Sequence, residues 1–464
     1  MTEQGERWTA EQVLALAPDD PSRRAGGRLG TAGAWSGTGT GDQGAVWGLC
    51  KGSGRTPYRT VVDTTGPAYT CSCPSRKFPC KHALGLLLLW SGGDVDAAGE
   101  VPDWAETWLA GRRARTASAA RATTGAAAGP ADPEAARRRA ERRAARITAG
   151  AEELERRLAD LVRGGLAAAG QAGHGLWEET AARMVDAQAP GLAGRVRELG
   201  TIAGSGPGWP VRLLEECALT HLLDRAWLSA DRLPGPLAAT VRSRVGLSAP
   251  PDGPTLRDHW LVLAQYDTAD SRLTTRRIWL HGRESGRTAL LLSFGAAGRA
   301  PQPAFPVGVV LDAELRPHAS GGGLRAELVE QFGPPAAAGA APAGGPVGAA
   351  LDAYGKALRE DPWLDAWPVT LTDVVPARTD HGWQLADAPW PAGGAREGSG
   401  GVASDPAREA VPLTRAAQAH PALWRLIALS GGGPVTVFGE VGHQGFTPLA
   451  GWSADAPGET VPLV

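Results

Sequence analysis

The chain of 464 residues has no long hydrophobic run, and its longest apolar stretch, ALGLLLLW, covers only residues 83–90. A membrane-spanning helix needs about 20 consecutive apolar residues, so this stretch is too short to be one. The chain does not open on a basic segment followed by an apolar one, as a secretory leader would. We therefore expect a cytoplasmic protein without membrane contact, built from more than one domain.

Cysteine is scarce as well, with five in the whole chain. Three of the five stand in the segment CSCPSRKFPCKH at 71–82, together with one of the nine histidines. Structural disulfides are rare in the reducing cytoplasm, so cysteines clustered in this way indicate a metal site or a catalytic site.

The spacing within this segment favours a metal site. Cys71 and Cys73 are two residues apart on a predicted strand and therefore point to the same face. The loop PSRKFP returns the chain, and Cys80 and His82 stand where the next helix is expected to begin. Three thiolates and one imidazole complete a tetrahedral ligand set for one Zn²⁺ and leave no open position, which predicts a structural ion.

The cysteines allow two other interpretations. A redox pair formed by Cys71 and Cys73 would leave Cys80 and His82 without a role, and thioredoxin-type motifs separate their cysteines by two residues. Cys50, on an upstream strand, is an alternative zinc ligand, although a buried thiol is the favoured interpretation of this residue.

Two β-rich runs precede the cysteines, AVWGLCKGSG and YRTVVDTTGPAYTCSC, and an apolar helix follows them. This order, with Cys-x-Cys, a variable loop and Cys-x-His, resembles the SWIM zinc finger over about residues 46–92, here called the zinc module. The wider layout, including GSGRTPYRTVVD, is similar to that of bacterial SWIM zinc finger family proteins. The resemblance implies a ββα zinc fold and, broadly, binding of DNA or of a protein partner.

The zinc module is locally basic, although the whole chain has a formal net charge of -2. Between Cys50 and Trp90, six basic residues stand against the single acid Asp63. This excess predicts contact with an anion such as nucleic acid, while a solvated module surface is the alternative. The predicted contact residues are the basic ones and two aromatic ones: Lys51, Arg55, Tyr58, Arg59, Arg76, Lys77, Phe78 and Lys81.

Composition and periodicity predict a multidomain α+β protein. We expect the small ββα zinc module to be followed by an α-helical middle domain and by an α+β C-terminal domain with antiparallel strands. A low-complexity linker should uncouple the zinc module from the rest of the chain. The expected segments are an N-terminal helix and loop (1–45), the zinc module (46–92), the linker (93–131), the helical domain (132–248) and the α+β domain (256–464), the last with flexible insertions near 333–349 and 392–407.

The helical domain is expected to begin sharply, with Asp132 as N-cap and Pro133 in the first turn. After this start, apolar residues recur at spacings of four and three, as on a helix that packs against another helix. This stripe consists of Ile147, Ala151, Leu154, Leu158 and Leu161.

No catalytic motif stands out. GRESGRT at 282–288 is similar to a phosphate-binding loop, but it is one residue short, has Arg287 in place of lysine and connects two predicted strands. Cys217 and His221 have the i,i+4 spacing of a thiol–imidazole dyad, yet core packing is the favoured interpretation. We therefore expect a zinc-binding protein that binds nucleic acid or acts as a protein adaptor, with no identifiable small-molecule substrate. An enzyme with an accessory zinc module is the weaker alternative.

Overall fold

The structure is a computed structural model, and it describes most of the chain. The described residues are 7–18, 20–41, 44–52, 54, 56–65, 68–75, 77, 79–95, 100–125, 132–167, 169, 173–247, 253–269, 273–296, 301–318, 323–337, 340–388 and 409–464. Among the helices of these ranges, none combines the length and the apolar character that crossing a membrane requires.

The described helices and strands form three sheets and a helical bundle. The helices are α1 Ala10–Ala15, α2 Asp20–Gly27, α3 Lys81–Ser91, α4 Asp103–Gly125, α5 Pro133–Gly164, α6 Gly173–Asp186, α7 Pro190–Ile202, α8 Trp209–Leu228, α9 Gly235–Val245, α10 Val347–Glu360, α11 Arg415–Ala419 and α12 Ala422–Ser430. The strands are β1 Trp35–Gly41, β2 Ala45–Cys50, β3 Tyr58–Asp63, β4 Ala68–Cys71, β5 Leu256–Ala269, β6 Leu273–Gly282, β7 Thr288–Ala296, β8 Val309–Pro317, β9 Arg325–Gln331, β10 Ala336–Ala337, β11 Ala366–Thr379, β12 Gly382–Asp387, β13 Ala410–Pro412, β14 Val435–Gly442, β15 Gly445–Ser453 and β16 Ala456–Pro462.

The zinc module is built on an antiparallel sheet in the order β1-β2-β3-β4. Side chains alternate between its two faces, as the period of two along a strand requires. Val46 and Val62 belong to the same core cluster as the apolar side chains of α3. Trp47 and Val61, one position away, pack instead with Ala105 of α4. Both faces of this small sheet are therefore covered.

Strand β1 corrects part of the prediction of a helix and loop over 1–45, in which the segment 30–44 is the expected loop. That stretch is rich in glycine, which lowers strand propensity, yet Trp35–Gly41 pairs with β2. The glycines make room for the ring of Trp47, because a Cβ on Gly39 would lie 2.6 Å from Trp47 Cζ2. Glycine here marks the close approach of a large side chain, which composition alone does not distinguish from loop.

Helix α4 corrects the prediction of a linker at 93–131. Low complexity suggested a flexible segment, but alanine and arginine are strong helix formers, and Asp103–Gly125 is helical. Ala105 and Leu109 of α4 are buried against the sheet of the zinc module. A segment expected to separate the module from its neighbours instead covers one of its faces.

The strands after residue 255 begin with a meander, in which β5, β6 and β7 pair antiparallel as expected for this domain. Strand β9 then pairs in parallel with β7 and antiparallel with β8, so that β5 to β9 close into a barrel. Residues on one face of these strands, such as Trp260, Val262 and Ile278, are buried in one cluster. Their neighbours Leu261 and Trp279 are buried in another, on the opposite face.

The core of the zinc module is continuous with the core of this barrel. Leu84 and Leu87 of α3, Tyr69 of β4 and Trp260 of β5 belong to one cluster of buried side chains. Gln331 of β9 also donates its side-chain N–H to the carbonyl oxygen of Thr65 in the β3–β4 turn. The expectation that the module is uncoupled from the rest of the chain is therefore wrong: so small a sheet buries its apolar surface against a larger neighbour.

The third sheet has the order β13-β12-β11-β14-β15-β16. One face is covered by α10, α11 and α12. The other face packs on the barrel, where the rings of Phe438 and Trp279 meet edge to face with centroids 6.1 Å apart. Of the two expected insertions, 392–407 lies outside the described residues, while 333–349 contains β10, which pairs with β8.

Helices α5 to α9 form the helical domain that the sequence predicts. Asp132 caps α5 and accepts a hydrogen bond from the N–H of Ala135. The predicted stripe is confirmed, since its first four residues are buried in the bundle core and Leu161 packs against them. Trp363, from the segment after α10, is buried in the same core and donates its indole N–H to the carbonyl oxygen of Leu219.

The bundle also buries one carboxyl group. Asp224 of α8 is fully buried, and neither of its oxygens has a hydrogen-bond partner among the described residues. Burial and, secondarily, the charge of Glu155 raise its pKa from 3.8 to about 8. Because the folded-state pKa is raised, folding retains a proton that the unfolded chain loses, and stability falls as pH rises between these two values.

We expect Asp224→Asn to stabilise the bundle at high pH, because the amide has no proton to lose. At about pH 9 the free energy of unfolding of the variant should exceed that of the wild type by more than about 1.4 kcal/mol, the equivalent of one pKa unit. At about pH 5 this difference should be smaller. Urea unfolding followed by far-UV circular dichroism measures both values. The control is Asp160→Asn, whose side chain is 78% exposed on α5; equal pH dependence in the two variants would contradict the assignment.

Candidate metal centre and its surroundings

Four side chains from two neighbouring elements converge at one end of the zinc module. Cys71 is the last residue of β4, Cys73 follows in the turn, Cys80 is the N-cap of α3, and His82 lies in its first turn. Their three Sγ atoms and a ring nitrogen of His82 all lie within 4.8 Å of one another. The predicted convergence is confirmed. Among the described residues, these four side chains are the group of histidine, cysteine and acidic residues that lies close enough together to hold a metal ion.

Backbone N–H groups prepare the sulfur atoms for a metal. The backbone N–H groups of Cys73 and Ser75 favour the thiolate forms of Cys71 and Cys73, respectively. The N–H of Ala83, in the first turn of α3, does the same for Cys80, and the helix dipole there also favours negative charge. Such donors stabilise thiolates, the form of cysteine that binds metal. Without a metal, burial outweighs this effect at Cys73, whose pKa is raised.

Cys71 is the cysteine of the group that loses its proton most easily. A hydrogen bond from the thiol of Cys80, together with contacts to His82 and Thr60, lowers its pKa to about 4. The pKa of Cys80 is raised in turn, because its thiol donates that hydrogen bond and is buried. An anionic sulfur beside two further thiols and an imidazole suits Zn²⁺, which prefers thiolate and imidazole ligands in tetrahedral sites.

The imidazole of His82 is held from both sides. Its Nδ1 lies 3.6 Å from Cys71 Sγ, and its ring lies against that of Tyr58, with centroids 4.7 Å apart. A Cβ on Gly52 would lie 2.6 Å from Tyr58 Cε2, so Tyr58 in turn is closely packed. The structure thus places Tyr58, a predicted partner contact, where it orients a ligand.

Cys50 does not belong to the cluster. It is fully buried, and desolvation raises its pKa to about 11. A buried neutral thiol is the interpretation that the sequence favoured, and it leaves Cys71, Cys73, Cys80 and His82 as the zinc ligands.

The structure describes four of the predicted basic contacts, and all four are exposed: Lys51, Arg59, Lys77 and Lys81. Lys51 and Lys81 line one groove together with the ligands Cys73 and His82, and we call these two lysines the basic face. Arg55, Arg76 and Phe78 lie outside the described residues.

The acid of the zinc module is directed away from the basic face. Its carboxylate, on Asp63, is paired with Arg112 of α4, with the Asp63 Oδ2 to Arg112 Nε distance at 2.7 Å. Within the described ranges, no acidic side chain pairs with Lys51, Arg59 or Lys81. These three cations are therefore available to an external anion.

The turn at 282–288 is no phosphate site. It connects β6 with β7, as predicted, and its N–H groups are already used by a carboxylate of the chain itself. Asp258 accepts hydrogen bonds from the N–H groups of His259, Glu284 and Ser285 at 2.6 to 3.0 Å.

The residues of the possible thiol–imidazole dyad on α8 have different environments. Cys217 is buried in the bundle core, and burial raises its pKa to about 11, so that the thiol stays protonated. His221 is exposed and places its Nδ1 2.7 Å from Glu155 Oε1. Core packing of Cys217 is what the sequence favoured, and the geometry agrees.

A groove beside the metal centre was not predicted from the sequence. It has a volume of about 530 Å³ and runs between α2, the start of β3, the loop after Cys73 and the start of α3. Helix α2 can form one wall because Gly26 lets it approach α3: a Cβ there would lie 2.7 Å from Leu84 Cβ. That contact is distant in sequence, and no local pattern signals it.

These features define the class: a zinc module with a structural Cys₃His site, joined to a helical bundle. Residues 58–90 match the family model of the SWIM zinc finger, and residues 142–245 match that of the SWIM-associated four-helix bundle domain. No curated protein and no solved structure matches the chain. The resemblance seen in the cysteine segment is confirmed, and SWIM zinc fingers are in general zinc-binding interaction modules.

We expect Cys73→Ser and His82→Ala each to lose bound zinc, because each removes one ligand of a closed four-ligand set. Elemental analysis of the purified full chain should give one zinc for the wild type and much less for both variants. Cys217→Ser is the matched control and should keep its zinc. Full retention in both ligand variants would show that other residues hold the ion.

Proposed function

We propose that this chain is a zinc-stabilised nucleic-acid-binding protein that contacts phosphates through the basic face. The observation that supports the proposal most is the position of Lys51 and Lys81, which line one groove with the zinc ligands Cys73 and His82 and have no acidic partner in the described part of the chain. Neutralising phosphates releases counterions, which is the main source of sequence-independent affinity for nucleic acid.

The metal centre fixes the backbone that carries Lys81, which is the first residue of α3, directly after the ligand Cys80. Arg59 contributes less directly, although its backbone exchanges hydrogen bonds with Ser72. Thr60, the next residue, faces the ligand Cys71, so the Arg59 side chain lies on the other face of the sheet. Zinc would therefore act structurally, and the ligands themselves would not touch nucleic acid.

Protein interaction is the second candidate function. Helix α8 has a buried face toward the bundle core and, on its opposite side, the exposed apolar residues Val211, Leu214 and Leu222. Exposed apolar side chains on one helix face are typical of an interaction surface. Trp90 of the zinc module is not available as an anchor for such a partner, because it packs edge to face with Trp8, with ring centroids 5.8 Å apart.

We expect Lys51→Glu with Lys81→Glu to abolish binding of nucleic acid at moderate salt while zinc content stays unchanged, because neither residue is a ligand. In a plot of the logarithm of the association constant against the logarithm of the salt concentration, the slope of the double variant should be less steep than that of the wild type by roughly 2, because two phosphate contacts are removed. Fluorescence anisotropy with labelled oligonucleotides over a salt series measures this.

Lys356→Glu is the matched control for charge reversal. Lys356 is the remaining lysine of the chain; it is exposed on α10 and lies outside the zinc module. This variant should bind like the wild type. Undiminished binding by the double variant, or no binding by the wild type at low salt, would refute the proposal and favour the protein adaptor.

A further inference from the structure

The groove beside the metal centre has the size of a small-ligand site. Its volume of about 530 Å³ falls within the range of roughly 300–1,000 Å³ that ligand pockets occupy. One wall is apolar and comes from α2 and the turn after it: Pro21, Ala25 and Leu29. The opposite side comes from the zinc module and includes Lys51 and Lys81.

The charge of this groove is one-sided. Its lining contains two lysines and no aspartate or glutamate. These two lysines are the basic face, so the surface proposed to contact phosphate is one side of the groove. A ligand that suits it has an anionic group for the lysines and a flat or apolar group for the wall of α2.

A nucleotide meets both requirements. Whether it belongs to a single strand or to a duplex decides whether its base can enter the groove. A base within a duplex is stacked and paired, so that it cannot enter a groove of this kind unless it is flipped out. A base of a single strand is free to enter, and apolar or aromatic walls bind such bases with little regard to sequence. The Ser75 hydroxyl in the lining is already hydrogen-bonded to the backbone of Lys77, so it is not free to distinguish one base from another. This also favours binding without sequence preference.

The geometry points to this groove as a site for one nucleotide of a single-stranded nucleic acid, with its phosphate at Lys51 and Lys81 and its base against the wall formed by Pro21, Ala25 and Leu29. The inference rests on the proposed function and adds to it a preference for single strands. Since Cys73 and His82 also line the groove, its shape depends on the metal centre.

The test fills the groove without changing its charge. Ala25→Trp places a large ring in the lining, whereas Gly27→Trp places the same ring on an exposed position of α2 that has no heavy atom within 4 Å of its added Cβ. Binding of an oligothymidylate of about 12 nucleotides, a length within the site sizes of single-strand-binding folds, is compared with binding of a duplex of equal length.

The wild type and Gly27→Trp should bind the single strand at least tenfold more tightly than the duplex. Ala25→Trp should lose that preference while retaining zinc and its far-UV circular dichroism spectrum. Equal affinity for both nucleic acids, or a preference that survives Ala25→Trp, would overturn the groove inference while leaving the proposed function in place. Absence of binding to either nucleic acid, or binding of an acidic peptide instead, would overturn both.

Discussion

The zinc module depends on one geometric constraint, the convergence of a strand end and a helix start on a single metal ion. Cys71 and Cys73 come from the end of β4, and Cys80 and His82 come from the start of α3. An ion shared by these elements fixes the direction in which α3 leaves the sheet. Because the ligands must lose protons and meet in one place, binding of the metal is coupled to folding of the module.

Helix α3 passes this constraint on to the rest of the molecule. It is apolar nearly all round, and its side chains belong to a core that continues into the barrel. A helix of that kind must be buried on every side, which its own small sheet cannot achieve. The remaining surface is covered by α1 and α2, and in this way α2 also becomes a wall of the groove. The position of α3 therefore determines both the packing of the core and the shape of the groove.

Local patterns predicted what local chemistry determines. Ligand type and spacing identified the four zinc ligands, and the period of the stripe on α5 identified the face of that helix that enters the bundle core. The sequence could not show contacts between distant segments. Gly39 looked like loop because the Trp47 ring that it accommodates lies on another strand, and α4 looked like a linker because the sheet it covers lies earlier in the chain. Closure of the barrel by β9 and the groove formed by α2 are non-local for the same reason.

We therefore expect the metal centre to stabilise α3 and, through the shared core, the barrel strands that pack on it. Hydrogen exchange of the full chain can be followed by mass spectrometry before and after zinc is removed with a chelator. We expect faster exchange in α3, in β2 to β4 and in the barrel strand that contains Trp260, with little change in the bundle residues around Leu154. Faster exchange confined to residues 71–82, with α3 and the barrel as protected as before, would contradict this expectation.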